Sequence, residues 1–255
     1  MGEAKRRSAA GIRLRRLYSP SNLHTIAKLV IPAGTAPPQR ERAVEALQIA
    51  ESIRARVRTA LARASEAGSL LRLWEAIDAV GIECAAAFSD AVTLSAAADW
   101  GRGKDMANLA CRRGCAFCCH VDVTVTPLEA IRLWRRAGDA APLDSIARRA
   151  PCPLLVDSAC SEYEARPYAC RAVFSPDAKA CEDGYASDGI VAVPSLDWPR
   201  ALASCYITGE IAALDDLKLA SHMVELRRAL HILRGDGEAA LRWLNGADIF
   251  PRRGA

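Results

Sequence analysis

Residues 111–120 read CRRGCAFCCH and place four cysteines within nine positions. Thiolates are soft ligands, suited to zinc, Cu(I) or iron–sulfur clusters. The Cys111–Cys115 and Cys115–Cys118 spacings each allow a tight turn to aim two sulfur atoms at one metal ion. Cys118 and Cys119 are adjacent, and neighbouring side chains of an extended backbone point to opposite faces. The stretch therefore predicts either two metal centres back to back or one polynuclear cluster.

Four further cysteines lie downstream of this stretch, so the chain offers eight clustered thiols, enough for two four-sulfur sites. The predicted metal ligands are Cys111, Cys115, Cys118, Cys119, Cys152, Cys160, Cys170 and Cys181. Two more cysteines, Cys84 and Cys205, fall in helical patterns with apolar neighbours. We expect these two to be small core residues rather than ligands.

Charged and polar neighbours of the thiols are candidates for supporting roles. Two divalent ions, each held by four thiolates, would carry a formal charge of about −4. Four arginines lie beside the cysteines in sequence and are either ordinary surface residues or donors that balance charge on sulfur: Arg112, Arg113, Arg166 and Arg171. His120 follows the doubled cysteine and is a weaker candidate ligand, because a polar loop residue fits that position equally well.

The composition favours a mainly α-helical protein. Hydrophobic residues make up 51% of the chain and aromatic residues only 5%, with alanine dominating the apolar count. This suits closely packed helices better than a β-sandwich. We expect a helical protein with a central cysteine-rich, loop-dominated metal-binding region and at most a short strand pair.

The formal net charge of +4 is concentrated at the N-terminus, where the first 20 residues carry +5 and the remainder −1. Residues 1–37 are predicted to be a basic, disordered tail. The tail lacks the apolar run of an export signal, and no window approaches the ~18 apolar residues of a membrane span. We therefore expect a cytoplasmic protein without membrane contacts. A nucleic-acid partner is disfavoured because the body has no supporting basic or aromatic patch.

Apolar residues at three- and four-residue spacing predict helices on both sides of the cysteines. The predicted helices cover 38–66, a stretch that includes Leu70 and Phe88, about 198–213, about 216–233 and about 237–244. The pattern divides the chain into a helical segment at 38–108, a cysteine-rich metal-binding domain at 109–190 and a C-terminal helical segment at 191–255. We expect the last segment to pack on the rest.

Between the helical segments, valines alternate with polar residues over 121–125 and predict a short strand. Thr126, Pro127 and Glu129 then form the pattern of a capping box with proline at the first helical position. The helix that follows should run to about Ala137.

Residues 151–195 are rich in Pro, Gly, Asp and Ser and show no sustained period. They are predicted to be loops that need an external clamp, preceded by a turn or two of helix at 143–149. In a reducing cytoplasm a disulfide framework is not expected to supply that clamp, which leaves metal binding.

Three segments resemble a known family: CRRGCAFCC (111–119), PCPLL (151–155) and CSEYEARPYACR (160–171) resemble the YkgJ-type CxxCxxCC family over about residues 109–185. The resemblance implies a domain that chelates zinc or iron, with an iron–sulfur cluster as one form of the centre. It carries over onto Cys111, Cys115, Cys118, Cys119, Cys152, Cys160 and Cys170, with Cys181 as the eighth thiol, and also matches Glu129, Tyr163, Arg166, Pro167 and Arg171. Glu162 departs from the family, where an apolar residue is usual, and should alter local packing more than ligation.

Of two enzymatic alternatives, the first stays open and the second is disfavoured. One family branch, the flagellin lysine N-methylases, methylates surface lysines, so the resemblance also implies an S-adenosylmethionine-dependent protein methyltransferase. No methyl-donor pocket or catalytic residue can be named from the sequence. Cys111, Cys115 and Cys118 also satisfy a radical S-adenosylmethionine signature. That interpretation is disfavoured because helices precede the motif and no βα alternation follows it. No nucleotide-binding glycine motif and no H-E-x-x-H motif is present.

Overall fold

The computed structural model describes residues 37–66, 69–112, 114–138, 150–187 and 195–250. The tail predicted for residues 1–37 lies outside these residues apart from Pro37, and so does the turn predicted at 143–149. Within the described ranges, no helix is both long enough and apolar enough to cross a membrane.

Among the described residues, the N-terminal part contains two long helices and one short helix. Helix α1 spans Pro37–Glu66, α2 spans Leu70–Ala98 and α3 spans Trp100–Ala107. The apolar stripes predicted for α1 and α2 contribute these buried residues: Ile53, Val57, Ala64, Ile77, Cys84 and Phe88. The same helices also bury Ala50, Leu61, Leu73 and Val80. Burying a large apolar side chain contributes roughly 1.5–3 kcal/mol, so these two stripes supply much of the core.

Three helices form the C-terminal part: α7 (Asp197–Asp216), α8 (Leu226–Gly235) and α9 (Ala239–Leu244). Helix α7 packs along α1. The two helices approach closely at Gly209, where an added Cβ would lie 2.4 Å from the carbonyl oxygen of Ala50. The second helix of this part begins at residue 226 rather than at the predicted 216. Glu225 caps it by accepting hydrogen bonds from the N–H groups of Arg227 and Arg228, which fixes the later start.

The central region begins with helix α4, Pro127–Ala137, which confirms the predicted capping box. The Thr126 hydroxyl accepts a hydrogen bond from the Glu129 N–H at 3.1 Å, and the Glu129 carboxylate accepts one from the Thr126 N–H at 3.0 Å. Helix α4 is buried from Pro127 to Leu133 and packs between α2 and α8. The capping box is formed by residues that are close in sequence, and it nevertheless lies in the core.

Two short antiparallel strand pairs flank α4. Strand β1 (Thr124–Val125) pairs with β4 (Val224–Glu225), which ties the centre of the chain to the start of α8. Strands β2 (Leu155–Val156) and β3 (Ala159–Cys160) form a hairpin. Its two loop residues, Asp157 and Ser158, both have positive φ, as the tight turns of two-residue hairpins require.

The cysteine-rich region otherwise consists of loops and short helical turns. It contains 3₁₀ helices at Phe117–His120 and Tyr163–Ala165 and the α-helices α5 (Tyr168–Arg171) and α6 (Ala178–Ala186). The predicted mainly helical fold with a loop-rich centre is confirmed. Helix α6 was not predicted. It is nine residues long and shows no apolar stripe, since Cys181 is its one buried residue, and it starts at an Asp177 cap that accepts a hydrogen bond from the Ala180 N–H.

Candidate metal centre

The first cysteine is held by a segment more than sixty residues downstream. The Cys111 sulfur accepts a hydrogen bond from the Ser175 N–H at 3.0 Å, and the Ser175 carbonyl oxygen accepts one from the Cys111 N–H at 3.3 Å. The thiol also lies close enough to those of Cys115, Cys118 and Cys181 for their charges to act on it. These four cysteines are called the first thiol group below.

The doubled cysteine lies in a 3₁₀ helix and not in extended backbone. Its turn is prepared at Gly114, which has a φ of 89°, and is closed by a hydrogen bond from the Cys119 N–H to the Ala116 carbonyl oxygen at 2.9 Å. In a 3₁₀ helix successive side chains are about 120° apart. The Cys118 and Cys119 side chains therefore do not take the opposite faces of an extended chain, and their thiols are near enough to interact. The premise of opposite faces is therefore wrong, although Cys118 is exposed and Cys119 half-buried.

A backbone contact joins the two halves of the cysteine-rich region. The Cys152 N–H donates to the Cys119 carbonyl oxygen at 2.7 Å. Cys160 follows on the hairpin, opposite Leu155, and its thiol is near that of Cys152. The Cys170 thiol is near those of Cys152, Cys160 and Cys118. Cys119, Cys152, Cys160 and Cys170 are called the second thiol group below.

Helix α6 places Cys181 beside the doubled cysteine. Cys181 is buried, and α6 packs against the 3₁₀ helix. Tyr185 makes the contact through its ring, which lies 5.9 Å from the Phe117 ring and 4.7 Å from the His120 ring. His120, the weaker candidate ligand, therefore has a packing partner.

The remaining two cysteines lie on long helices. Cys84 is fully buried on α2, near the side chain of Tyr168, and burial raises its pKa to about 12. Cys205 is half-buried on α7 and donates to the Ala201 carbonyl oxygen at 3.3 Å. All ten cysteines fall in the described part of the chain, and all are free thiols.

Burial is the main influence on most of the clustered thiols. It raises the pKa values of Cys111, Cys160 and Cys170, and it raises that of Cys152 to about 11. The neighbouring Cys119 thiol is the main cause that raises the pKa of Cys118. Thiols in this state hold their protons at neutral pH, so a metal ion that binds them must displace protons.

Two of the predicted arginines lie beside the thiols. Arg166 stacks on the Tyr163 ring, 3.5 Å from its centroid, and Arg171 donates to the Arg166 carbonyl oxygen at 2.8 Å. The charges of both lower the pKa of Cys160 against the effect of burial. Arg112 is exposed, and Arg113 lies outside the described residues. Of the four arginines considered from the sequence, Arg166 and Arg171 therefore place positive charge beside the second thiol group.

A buried carboxylate fixes the helix that carries Cys170. Glu129, 4% exposed, accepts a hydrogen bond from the Tyr168 N–H at 2.8 Å through the oxygen that does not cap α4. Glu210 on α7, 2% exposed, accepts one from the Thr126 hydroxyl at 2.7 Å. Burial, followed by the charge of Glu129, raises the pKa of Glu210 to about 8. The two carboxyl groups thus share Thr126 as a neighbour, and burial raises the pKa of both.

Arg132 offsets the buried acidic charge. Its guanidinium donates to the Ala165 carbonyl oxygen at 2.7 Å, and its charge acts against the burial that raises the pKa values of Glu129 and Glu210. Space for it exists because residue 81 on α2 is glycine, whose added Cβ would lie 2.2 Å from the Arg132 Nη1. Helices α2 and α4 and the segment before α5 are thereby joined around one buried cation.

Three residues of the site were not predicted from the sequence: Ser175, Glu210 and Arg227. Glu210 carried a signal, since it stands alone among apolar residues in TGEIAAL. Arg227, 3% exposed, lies on α8 and binds the loops next to Cys119 and Cys152. Its position in the sequence resembles that of any surface arginine, so nothing local could have identified it.

The donor set fits a thiolate-bound metal in its chemistry. Eight free thiols from separate segments lie in one loop-rich region with arginines beside them. Among the residues that the structure describes, no three His, Cys, Asp or Glu side chains are already arranged to hold an ion. Binding would therefore require the thiols to rotate toward the metal, while the backbone contacts keep their segments together.

Residues 110–186 match the model of the CxxCxxCC family, which is described as a "Putative zinc- or iron-chelating domain". The match confirms the resemblance found in the sequence. It contains all eight predicted ligands, whereas Cys84 and Cys205 lie outside it. No curated protein and no solved structure matches the chain. The comparisons support a zinc- or iron-chelating function, and nothing in them supports the methyltransferase alternative.

Proposed function

We propose that the protein binds zinc or iron through the eight clustered cysteines of its central region. The observation that carries the proposal is the 2.7 Å hydrogen bond from the Cys152 N–H to the Cys119 carbonyl oxygen. It brings the downstream thiols to the doubled cysteine within a region that matches a zinc- or iron-chelating family. Thiolate ligands in fours are the donor set of closed structural zinc sites and of iron–sulfur clusters.

The proposed centre divides into two sets of four ligands. The first thiol group (Cys111, Cys115, Cys118 and Cys181) surrounds the exposed side of the doubled cysteine, and the second (Cys119, Cys152, Cys160 and Cys170) lies on the hairpin side. Charge effects link Cys111 with Cys115, Cys118 and Cys181, and they link Cys170 with Cys152 and Cys160, while Cys170 also lies near Cys118. Cys119 is assigned to the second set by the backbone hydrogen bond from the Cys152 N–H. The contact between Cys118 and Cys119 places the two sets edge to edge.

The proposed role of the metal is to hold the central loops in one arrangement. Few regular elements support residues 150–175, where a two-residue strand pair and two short helical turns are the longest among the described residues. Metal binding that fixes such loops is itself folding free energy. Free thiols are retained in a reducing compartment, so a cytoplasmic location is part of this proposal.

The first experiment is metal analysis of the full chain purified under anaerobic conditions, together with its absorption spectrum. We expect zinc or iron at a fixed ratio to protein. A colourless sample with zinc would identify zinc–thiolate sites, and a brown sample with iron would identify an iron–sulfur cluster. Protein that is folded by circular dichroism yet binds neither metal after reduction and reconstitution would refute the proposal.

The second experiment compares cysteine variants. Cys111→Ser, Cys152→Ser and Cys170→Ser should each lower metal content, because oxygen is a poorer donor than sulfur for these metals. Cys84→Ala and Cys205→Ala are the matched controls and should retain the metal of the unmodified chain. Equal metal content in all five variants would show that the clustered thiols are not the ligands.

A further inference from the structure

Arg227 lies on helix α8, outside the region that matches the metal-chelating family. It is buried, and each of its three guanidinium nitrogens donates a hydrogen bond. The Nε donates to the Glu225 carboxylate at 3.2 Å, the Nη1 to the Ala150 carbonyl oxygen and the Nη2 to the Asp122 carboxylate. A buried arginine with three acceptors holds each of them in place, because its planar fork has a fixed geometry.

Two of these acceptors lie next to predicted metal ligands. Asp122 follows Cys119 by three residues, and Ala150 precedes Cys152 by two. The same two cysteines are joined by their own backbone hydrogen bond. Arg227 therefore bridges the two loops from one side while that hydrogen bond joins them from the other.

The surrounding backbone gives the bridge a rigid base. The Leu226 N–H donates to the Val123 carbonyl oxygen at 2.9 Å, and β4 pairs with β1 directly beside it. Helix α8 packs along α4 in the core. The guanidinium also lies near enough to Cys152 for its charge to act on that thiol. The Arg227 cation on this rigid helix can therefore hold the two loops in place and also act on the Cys152 thiol through its charge.

We propose that Arg227 is a positioning residue for the second thiol group, so that the C-terminal helix α8 is part of the metal centre. Arg227 does not touch the metal. It holds the loops of Cys119 and Cys152 at the separation that one ion requires, and it places a positive charge beside their thiolates. This inference rests on the proposed metal-binding function.

The test uses Zn²⁺ and the full chain, in competition with a chromophoric chelator. Arg227→Met should weaken zinc binding by about tenfold or more, the usual effect of losing a group that orients metal ligands. Arg228→Met is the matched control, because Arg228 is the next residue on the same helix and is exposed. It should bind zinc like the unmodified chain. Arg227→Lys keeps the charge but cannot bridge three acceptors, so it should recover only part of the affinity.

A second measurement separates positioning from general stability. In zinc-loaded protein, alkylation mapped by mass spectrometry should accelerate at Cys152 in Arg227→Met, while Cys181 of the first thiol group stays protected. Equal zinc affinity of Arg227→Met and Arg228→Met would overturn the inference. Equal acceleration at both cysteines would also overturn it, since a merely structural role predicts that result.

If Arg227→Met does not fold, Asp122→Ala decides the question, because it removes one acceptor at the surface and leaves the core intact. Weaker zinc binding with faster alkylation of Cys152 supports the bridge, and unchanged values for both refute it. Failure of the unmodified chain to bind Zn²⁺ would instead refute the proposed function. The two failures are therefore distinguishable.

Discussion

The Glu129 carboxylate accepts a hydrogen bond from the Tyr168 N–H at 2.8 Å, while its other oxygen accepts one from the Thr126 N–H at 3.0 Å. One buried side chain thus caps helix α4 and fixes the first residue of α5. Cys170 lies on α5, two residues further along. The cap of a core helix and the placement of a predicted metal ligand depend on the same carboxylate.

Glu129→Ala should destabilise the protein by about 3 kcal/mol, because it leaves two buried N–H groups without acceptors at roughly 1–3 kcal/mol each. Urea unfolding measures the difference. Glu182→Ala is the control, since Glu182 lies in an exposed ion pair with Lys179, and such pairs contribute only about 0–1 kcal/mol. Equal losses for the two variants would contradict the role of Glu129.

Glu210→Gln should change how stability depends on pH. The raised pKa of about 8 means that folded Glu210 keeps its proton at pH values where the unfolded chain, near 4.5, has lost it. This contribution to stability is fully present below about pH 4.5 and is lost as the pH rises toward 8, with a slope of at most ~1.4 kcal/mol per pH unit for one proton.

Glutamine does not ionise. The free energy of unfolding of the Glu210→Gln variant should therefore fall less between pH 5 and pH 8 than that of the unmodified chain. Urea unfolding of both proteins at the two pH values provides the comparison, and other titrating groups cancel in the difference. Parallel slopes for the two proteins would show that Glu210 is ionised in the folded state across this range.

Gly209→Ala should destabilise the packing of α1 against α7. An added Cβ would lie 2.4 Å from the Ala50 carbonyl oxygen and 2.8 Å from the Ile53 Cβ, so the two helices must separate at a cost of about 1–3 kcal/mol. Gly235→Ala is the control, because no atom lies within 4 Å of its added Cβ. Thermal unfolding should show a lower midpoint for the first variant only, and unchanged midpoints in both would contradict the close approach.

Metal removal should loosen the cysteine-rich region and spare the long helices. The apolar stripes of α1 and α2 are buried against each other and against α7, so they do not need the metal. Chelation should increase proteolysis within residues 151–187 and leave most of the helical circular dichroism. Loss of the whole helical signal, or unchanged proteolysis in that region, would contradict this division.

Cys118→Ser and Cys119→Ser should remove metal from different halves of the centre. Each variant loses one of four sulfur ligands in its own thiol group, so metal content should fall additively in the double variant. Metal per chain in the two single variants and the double variant is the measurement. If each single variant already falls to the level of the double variant, the two groups form one polynuclear cluster.

The sequence by itself determined the elements whose contacts are local. The α4 capping box links residues three positions apart, and the stripes of α1 and α2 repeat every three or four residues, so both could be predicted from neighbouring side chains. The cysteine spacing likewise indicated a metal region, since thiolate chemistry belongs to the residue itself. The backbone of the doubled cysteine was predicted wrongly, because adjacency alone does not distinguish extended chain from a 3₁₀ turn.

Only the tertiary structure decided which distant groups support the site. Arg227 reaches Asp122 across 105 residues, and Glu210 reaches Thr126 across 84. A buried charged or polar group must find a partner wherever the chain folds back to provide one, and no local pattern records that partner. The predicted ligands therefore lie in one region of the sequence. The packing of α7 and α8 onto that region determines which distant residues hold the ligands in place.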